Sequence, residues 1–461
     1  MRNTTPAHPQ PIDRPRALSG RQLVALATVT FAAVLLSLAA ACRGLGVESA
    51  SSISEFQVVS EAAISAPSGY IPAAFGSPLD PTATPTPSPS PTPEIGPPLP
   101  APTVVVAVPP IDFEAARQVA QAKGLDLAFV KIGFHTGAGG NTQGIGDYFR
   151  KLNDAGVPIF LKSVDDPGKL IELQQIMKEN EANGREVEHI LVYRLTDSRF
   201  EAPYYDLSLS PEEAAAVSWE LHRNNWSGQL DKKYVWFETH NEPGRYGYDG
   251  KLQIERLGRF SLATAKLAVA QGYRYAALGW STGVPEVEDW ENPAMLAFLR
   301  YAADHPDQVA VALHEYSLES DYIGNGYPYL VGRFQALFAA CDKHGIARPT
   351  VLITEWGWTH DTVPEPAQAI EDIAWASWLY AAYPTVKGAA IWYLGRGDNG
   401  IHNQTQQLIA PLADYAVSHY FLYTPGIGQI DAEIFRPHPP TLLGLDWWRE
   451  GRTQVPQPRT P

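Results

Sequence analysis

Between residues 111 and 423 the sequence alternates between short apolar runs and longer amphipathic stretches. The apolar runs are rich in β-branched and aromatic residues, a composition typical of buried strands. The stretches between them have helical spacing, and Ser210-Pro-Glu-Glu213 adds a helix-start signal, a capping box with proline at the first helical position. The eight predicted strands are Leu127–His135, Val157–Ser163, His189–Leu195, Tyr234–Asn241, Tyr275–Trp280, Val309–Tyr316, Val351–Glu355 and Gly388–Leu394.

Eight strand-then-helix units over about 310 residues predict an α/β fold, the (β/α)8 TIM barrel. A doubly wound sheet has the same alternation and is the alternative fold. It would not place polar residues so regularly at the strand ends, as this chain does. In a barrel these ends form one ring, at the face that carries the chemistry. We therefore expect the functional residues at the carboxyl ends of the predicted strands.

Two of the predicted strands deliver a carboxylate among aromatic residues. The fourth reads Tyr-Val-Trp-Phe-Glu-Thr-His-Asn-Glu-Pro over residues 234–243, and the seventh reads Thr-Val-Leu-Ile-Thr-Glu-Trp-Gly-Trp over residues 350–358. The other polar or aromatic residues at strand ends are His135, Lys162, Arg194, His240, Asn241, Trp280, His314, Tyr316 and Trp392. Because the fourth and seventh strands face each other across a barrel mouth, Glu242 and Glu355 can converge. The pattern predicts an enzyme with paired carboxylates.

The alternation of side chains along a strand decides which of these residues share a face. His314 and Tyr316 are two residues apart and point the same way, whereas Glu315 between them faces the helices. Asn241 and Glu242 are adjacent and would point opposite ways on a regular strand. A bulge or break at the strand end must therefore turn both of them inward.

Four features on different strands together resemble a known group of enzymes. They are Asn241-Glu242-Pro243 on the fourth strand, His314-x-Tyr316 on the sixth, Glu355 on the seventh and Trp392 on the eighth. This set resembles the clan of retaining β-glycosidases with a barrel fold, and within it the cellulase-type family. The resemblance covers Ile111 to about Tyr423.

The resemblance implies a role for each matching residue. Glu242 would be the acid/base and Glu355 the nucleophile. Asn241 would bind the sugar 2-hydroxyl, Tyr316 would orient the nucleophile, and Trp392 would stack under the reacting sugar. Glycoside cleavage with retention needs two carboxyl groups about 5–5.5 Å apart. A hydrogen bond from Tyr316 would in addition keep Glu355 ionised.

The chain departs from the family at the second strand, where the family usually carries an arginine and this chain has Lys162. Arg194 at the end of the third strand is the candidate replacement, with an ion pair to a neighbouring aspartate as the alternative. Three further candidates for substrate contact are His135, His240 and Trp280. For each of these the alternative is a buried structural side chain.

The composition excludes several classes of protein. A net charge of −15 argues against nucleic acid as a partner. The two cysteines, Cys42 and Cys341, exclude a disulfide framework and a cysteine-rich zinc site. A metal-hydrolase barrel would need clustered histidines, and only His135 and His314 fit. We expect a monomer that needs no metal or cofactor and takes a β-linked glycan as its substrate.

The first 42 residues have the pattern of an export signal. Basic residues precede an apolar run, Leu23–Ala41, and Leu38-Ala-Ala-Ala-Cys42 resembles the lipobox of bacterial lipoproteins. A lipidated Cys42 would hold the protein to the membrane, on the cell surface or in the envelope. An uncleaved membrane anchor and ordinary secretion are the alternatives.

The rest of the chain divides by composition into three parts. Residues 43–110 form a predicted disordered stalk rich in Ser, Thr and Pro, with thirteen prolines between residues 77 and 110. Residues 111–450 form the predicted catalytic barrel. Residues 451–461 are a predicted disordered tail.

These features predict an exported, surface-tethered retaining glycoside hydrolase that cleaves β-glycosidic bonds of a poly- or oligosaccharide by double displacement. A catalytically inactive carbohydrate-binding barrel and an envelope interaction module on a stalk are the alternatives. The sequence leaves open the glycan and its linkage, endo or exo cutting, and transglycosylation.

Overall fold

The computed structural model describes residues 99–243, 250–426 and 430–436, with the backbone alone for residues 250–252. The predicted signal segment 1–42, residues 43–98 of the predicted stalk and the predicted tail 451–461 lie outside these residues. No helix within the described ranges has both the length and the apolar character of a membrane span.

The strands of the described residues form a barrel and a small separate sheet. They are β1 (Thr103–Val106), β2 (Asp126–Phe129), β3 (Ile132–Gly137), β4 (Phe160–Val164), β5 (Ile190–Arg194), β6 (Val235–Glu238), β7 (Arg274–Trp280), β8 (Val309–Tyr316), β9 (Thr350–Gly357), β10 (Val386–Ile391) and β11 (His419–Tyr423). Strands β3 to β10 pair in parallel with their neighbours in chain order, and β10 pairs with β3 to close the barrel. The predicted (β/α)8 barrel is confirmed. Strands β1, β11 and β2 form an antiparallel sheet beside it.

Helices connect the barrel strands and cover them on the outside. They are α1 (Phe113–Gln121), α2 (Ile145–Ala155), α3 (Gly168–Ala182), α4 (Ser198–Tyr205), α5 (Pro211–Asn224), α6 (Gly250–Ala270), α7 (Pro293–Asp304), α8 (Phe334–Lys343), α9 (Pro366–Ala381), α10 (Ile401–Gln406) and α11 (Ile409–Ser418). The predicted capping box is confirmed at the start of α5. The Ser210 hydroxyl accepts from the Glu213 amide at 3.2 Å, and the Glu213 carboxylate accepts from the Ser210 amide at 2.9 Å.

A layer of large and small apolar side chains fills the interior of the barrel below its mouth. Its members are Phe160, Ile190, Val192, Trp236, Ala276, Ala310, Ala312, Leu352 and Ala390. The ring of Phe160 needs the space that a side chain on β10 would take, since a Cβ built on Gly388 would lie 2.3 Å from its Cδ2. Polar residues project above this layer because each strand changes from apolar to polar toward its carboxyl end.

The structure differs from the sequence-based expectations near the start of the domain. Thr103–Val106, which the sequence analysis assigned to the stalk, is strand β1 and pairs with β11. The predicted first strand, Leu127–His135, is two strands, because β2 turns away to pair with β11. At the turn, Lys131 Nζ donates to the carbonyl oxygens of Tyr380 and Tyr383, at 3.0 Å each.

A cleft of about 930 Å³ lies at the opposite end of the barrel, where the strands begin. Its lining carries charges of both signs, and several of them pair with each other. Lys233 contacts Glu181, and Lys387 lies 3.5 Å from Glu188. None of the strand-end candidate residues lines this cleft.

The carboxyl groups of Glu315 and Asp372 are buried between the barrel and its helices. Glu315 on β8 accepts from the Gly332 amide at 2.9 Å and from the Tyr380 hydroxyl at 2.7 Å, which holds the loop after β8 against α9. Asp372 on α9 accepts from Trp358 Nε1 at 2.6 Å. Burial raises the pKa of each carboxyl group to about 7, although these hydrogen bonds favour the ionised form.

We expect the free energy of unfolding to fall between about pH 4 and pH 7 through these two groups. A carboxyl group with a raised pKa in the folded state stabilises the fold below its ordinary pKa, and that stability is lost as the pH rises through the raised value. Each group should contribute on the order of 3–4 kcal/mol to this fall. Urea denaturation should show a smaller fall for Glu315→Gln and an unchanged fall for Glu114→Gln, on the exposed surface of α1. If the free energy of unfolding of Glu315→Gln fell as steeply with pH as that of the wild type, the raised pKa assigned to Glu315 would be wrong.

Candidate active site

The two carboxyl groups predicted from the sequence come together at the mouth of the barrel. The Nδ1 atom of His314, on β8, lies 3.2 Å from Glu242 Oε1 and 3.4 Å from Glu355 Oε2. Two oxygens that both lie within 3.5 Å of one nitrogen are less than about 7 Å apart, which favours the short separation of a retaining pair. Glu355 lies on β9, and Glu242 follows β6.

Glu355 is held by hydrogen bonds from two sides. Arg194 Nη1 donates to its Oε1 at 3.2 Å, and the Tyr316 hydroxyl donates to its Oε2 at 2.9 Å. Lys162 Nζ lies 4.0 Å from the same carboxylate, and His135 Nε2 lies 3.9 Å from it. The contact that the sequence predicted between Tyr316 and Glu355 is therefore present. Arg194 reaches the carboxylate from the third barrel strand, β5.

The electrostatics of the site keep Glu355 ionised. Burial alone would raise the pKa of Glu355, but the positive charges of His314, Arg194 and Lys162 outweigh it and lower the pKa to about 2. Burial and the nearby cations lower the pKa of His135 well below its ordinary range, so that ring is neutral. An ionised, hydrogen-bonded carboxylate fixed in one rotamer is suited to attack an electrophilic carbon.

Asn241 and Glu242 both reach the site because the strand ends before them. β6 stops at Glu238, and Glu242 has a φ of 46°, in the left-handed region. The Glu242 amide donates to the Gly279 carbonyl at 2.9 Å, and the Asn241 amide donates to Glu201 Oε1 at 3.1 Å. The Asn241 side chain accepts a hydrogen bond from Arg194. The strand must break here for two adjacent side chains to point inward. The break is held by Gly279 on β7 and by Arg194 on β5.

Gly279 on β7 leaves the space that these groups occupy. A Cβ at this position would lie 2.5 Å from Glu238 Oε1, 2.8 Å from the His240 carbonyl oxygen and 3.2 Å from His314 Nε2. Its φ of 43° is also in the left-handed region. No other residue fits here without displacing the carboxylate or the histidine.

We expect Gly279→Ala to lower kcat/KM by at least about 100-fold, because small displacements of reacting groups have effects of that size. The rate is measured on a substrate that the wild-type protein turns over. Gly228→Ala is the matched control, since Gly228 is exposed and nothing lies within 4 Å of its built Cβ. A folded Gly279→Ala protein with a rate close to that of the wild type would show that the packing at Gly279 does not position the site.

Trp392 forms a half-buried wall beside this cluster. Its Nε1 donates to the His360 carbonyl at 3.2 Å, and its ring stacks on Tyr393 at 4.2 Å between centroids. The ring of His135 packs edge-on against it at 5.0 Å. This arrangement leaves part of the indole face accessible, which suits the predicted stacking under a sugar.

Two residues proposed as substrate contacts lie elsewhere. His240 is 2% exposed and packs among the rings of Tyr204, His222 and Phe260 in the helix layer. Burial lowers its pKa to about 3, so it is neutral. Trp280 is 1% exposed and packs on Trp290. The structure therefore assigns both to the packing around the barrel.

Sequence reasoning missed an ion pair that lies beneath the two catalytic candidates. Lys162 Nζ contacts Glu238 Oε2, and both side chains are fully buried. Burial lowers the pKa of Lys162 to about 8, whereas Lys162 and Arg194 hold the pKa of Glu238 far below its ordinary range in spite of burial. Both groups are charged at neutral pH. The signal in the sequence was a lysine and a glutamate inside otherwise apolar strands.

Comparisons with known proteins find similar solved structures at low sequence identity. No family model matches the sequence, and no curated protein matches it. The structure is similar to the catalytic domain of a mannanase from Streptomyces sp. SirexAA-E, with a TM-score of 0.31 and 18% identity over 59% of this chain and 77% of the mannanase. It is similar to a trimodular GH5_4 subfamily endoglucanase, with a TM-score of 0.38 and 12% identity over 65% of this chain. The chain spans 62% of that endoglucanase.

The same comparison finds proteins with other activities. An aldolase from Escherichia coli K12 matches with a TM-score of 0.27 and 9% identity over 67% of this chain and 96% of the aldolase. The function of this chain rests on its own site, because a fold does not by itself imply a function.

Proposed function

We propose that the protein is a retaining glycoside hydrolase that cleaves β-glycosidic bonds of a poly- or oligosaccharide by double displacement. The proposal rests on the closeness of two carboxyl groups, Glu355 and Glu242, which both lie within 3.5 Å of His314 Nδ1. Glu355 is ionised and is held by hydrogen bonds from Arg194 and Tyr316. Such a pair supplies the two groups that glycoside cleavage needs.

Each carboxyl group has one task in each half of the reaction. Glu355 attacks the anomeric carbon and forms an ester, while Glu242 gives its proton to the leaving oxygen. Glu242 then takes a proton from water, which attacks the same carbon and restores the Glu355 carboxylate. Arg194 and Tyr316 keep Glu355 oriented, and the Asn241 amide next to Glu242 can bind the sugar. Because two displacements occur at one carbon, the anomeric configuration is retained.

A substrate screen tests this proposal. The protein is incubated with aryl β- and α-glycosides and with glucan, mannan and xylan, and the products are sized. We expect hydrolysis of at least one β-linked substrate, with the β-anomer appearing first by NMR. Hydrolysis of α-linked substrates alone, an α-anomer as the first product, or binding without hydrolysis would each reject the proposal.

We further propose that the protein is exported and held to the membrane by a lipid on Cys42, with residues 43–102 as a tether. The support is the pattern of the N-terminal sequence. Cys42→Ser should shift the protein out of the membrane fraction or block its maturation. Unchanged partitioning, together with a mature N-terminus that carries no lipid in mass spectrometry, would reject the lipid anchor.

A further inference from the structure

The imidazole of His314 is enclosed by three carboxyl groups. Its Nδ1 lies 3.2 Å from Glu242 Oε1 and 3.4 Å from Glu355 Oε2, and its Nε2 lies 3.7 Å from Glu238 Oε1. The side chain is fully buried. A neutral imidazole has a hydrogen on one nitrogen only and would direct a lone pair at a carboxylate on its other side. The imidazolium form has a hydrogen on each nitrogen, so that Nδ1 donates at the mouth while the positive Nε2–H faces Glu238 at 3.7 Å, an electrostatic contact beyond hydrogen-bond distance, and it is the form that this geometry accommodates.

The charged groups around His314 agree with that form. Burial lowers the pKa of His314, and Lys162 also lowers it. Glu355 has the largest opposing effect, followed by Glu238 and Glu242, and the net result is a raised pKa. The three carboxyl groups face the ring from β6, from the segment after β6 and from β9.

Glu238 is held so that it can face only the protein. It is fully buried, pairs with Lys162, and accepts from the Thr354 hydroxyl at 3.2 Å. Arg194 Nη1 lies 3.6 Å from its Oε1. Glu238 therefore lies beneath the reacting carboxyl groups, outside the reach of a substrate in the mouth.

We infer that Glu238 is a positioning residue that keeps His314 as an imidazolium, and that the Nδ1–H of His314 follows the negative charge from Glu355 to Glu242 during the double displacement. The inference rests on the proposed function. It explains how a buried site stabilises a negative charge that passes from one carboxyl group to the other during the reaction. The near-equal distances from Nδ1 to the two carboxyl groups mean that the ring need not turn between them.

The protons and charges balance through both steps. In the free enzyme Glu355 is ionised and Glu242 carries a proton. When the Glu355 ester forms and the glycosidic bond breaks, the leaving oxygen takes the proton of Glu242, so the single negative charge now lies on Glu242. Water then returns a proton to Glu242, and its oxygen displaces the ester to regenerate ionised Glu355. His314 keeps both of its protons throughout and donates to whichever carboxyl group is charged.

The charge of His314 is tested by 15N NMR of the histidines, with its signals identified from their loss in His314→Asn. We expect both His314 nitrogens to be protonated in the wild type at about pH 7, and one of them to lose its proton in Glu238→Gln. Glu315→Gln is the matched control, because it replaces another buried carboxyl group, on β8, that faces the helices. In that variant His314 should remain doubly protonated.

Kinetics separate a positioning role from a merely structural one. Glu238→Gln should lower kcat at least tenfold and move the acidic limb of kcat/KM to higher pH, since Glu355 loses part of the positive charge beside it. Glu315→Gln should leave that limb in place. A neutral His314 in the wild type, or a Glu238→Gln variant that loses rate with an unmoved acidic limb, would overturn the inference. A protein that hydrolyses no glycoside but shows the expected NMR signals would reject the proposed function and leave the assigned charge of His314 standing.

Discussion

Replacing Arg194 by methionine is expected to lower kcat/KM by about a thousandfold while the barrel remains folded. Arg194 donates to Glu355 Oε1 at 3.2 Å and to the side chain of Asn241, so it fixes both the nucleophile and the neighbour of the acid. Without its charge the pKa of Glu355 rises, and the acidic limb of the rate profile moves to higher pH. Steady-state kinetics on an aryl β-glycoside as a function of pH measure both effects.

A lysine at the same position separates charge from geometry. Arg194→Lys keeps the charge but has one nitrogen instead of a fork, so a loss of about ten- to a hundredfold is expected with the acidic limb near its wild-type position. Arg199→Met is the control, because Arg199 is an exposed side chain on α4 that pairs with Asp197 at the surface. A lysine variant as slow as the methionine variant would show that the fork geometry matters and the charge does not. A methionine variant with a wild-type rate would remove Arg194 from the site.

The parts of the site that could be predicted from the sequence are those that lie on regular strands. Along β8 the alternation of side chains holds to the end, so His314 and Tyr316 face the mouth and Glu315 faces the helices as expected. On β9 a register shift opposite His314 breaks the alternation, and the adjacent Thr354 and Glu355 both point inward. The barrel order then brings Arg194 on β5 to Glu355. The alternation along β8, the position of Glu355 at a strand end and a closed ring of strands are enough to predict these contacts.

The parts that could not be predicted lie where the strands stop being regular. His240 follows the end of β6, where alternation no longer decides the direction of a side chain, and it points into the helix layer. The inward turn of Asn241 depends on Glu201, which is 40 residues away and gives no signal in the strand pattern. Such contacts are set by the assembled fold rather than by local periodicity.

The start of the domain was predicted too late in the sequence for a different reason. Strand β1 lies among the prolines that predicted a stalk, and its partner β11 is at the other end of the described barrel. Trp378 on α9 donates to the Pro102 carbonyl at 2.9 Å, which ties this segment to the barrel just before β1 begins. Pairing between distant segments leaves little trace in composition, so the Pro-rich texture obscured the strand.

Replacing either Glu355 or Glu242 by alanine is expected to lower the rate of hydrolysis by several orders of magnitude, as for groups that act in the transition state. Both variants should fold, because both residues line the mouth above the apolar layer of the barrel. Circular dichroism checks the fold. Near-normal hydrolysis by either variant would remove that residue from the mechanism.

Azide should then distinguish the two glutamates on a substrate with a good leaving group. In Glu355→Ala the azide fills the space of the missing nucleophile and attacks directly, and a single displacement on a β-glycoside gives an α-glycosyl azide. In Glu242→Ala the ester at Glu355 still forms, because a good leaving group needs little help from an acid. Azide then replaces water in the second displacement and gives a β-glycosyl azide. NMR of the products identifies the anomers. The anomeric configuration shows from which face of the sugar the azide attacked, and therefore which carboxylate is missing. The opposite pair of anomers would exchange the two roles.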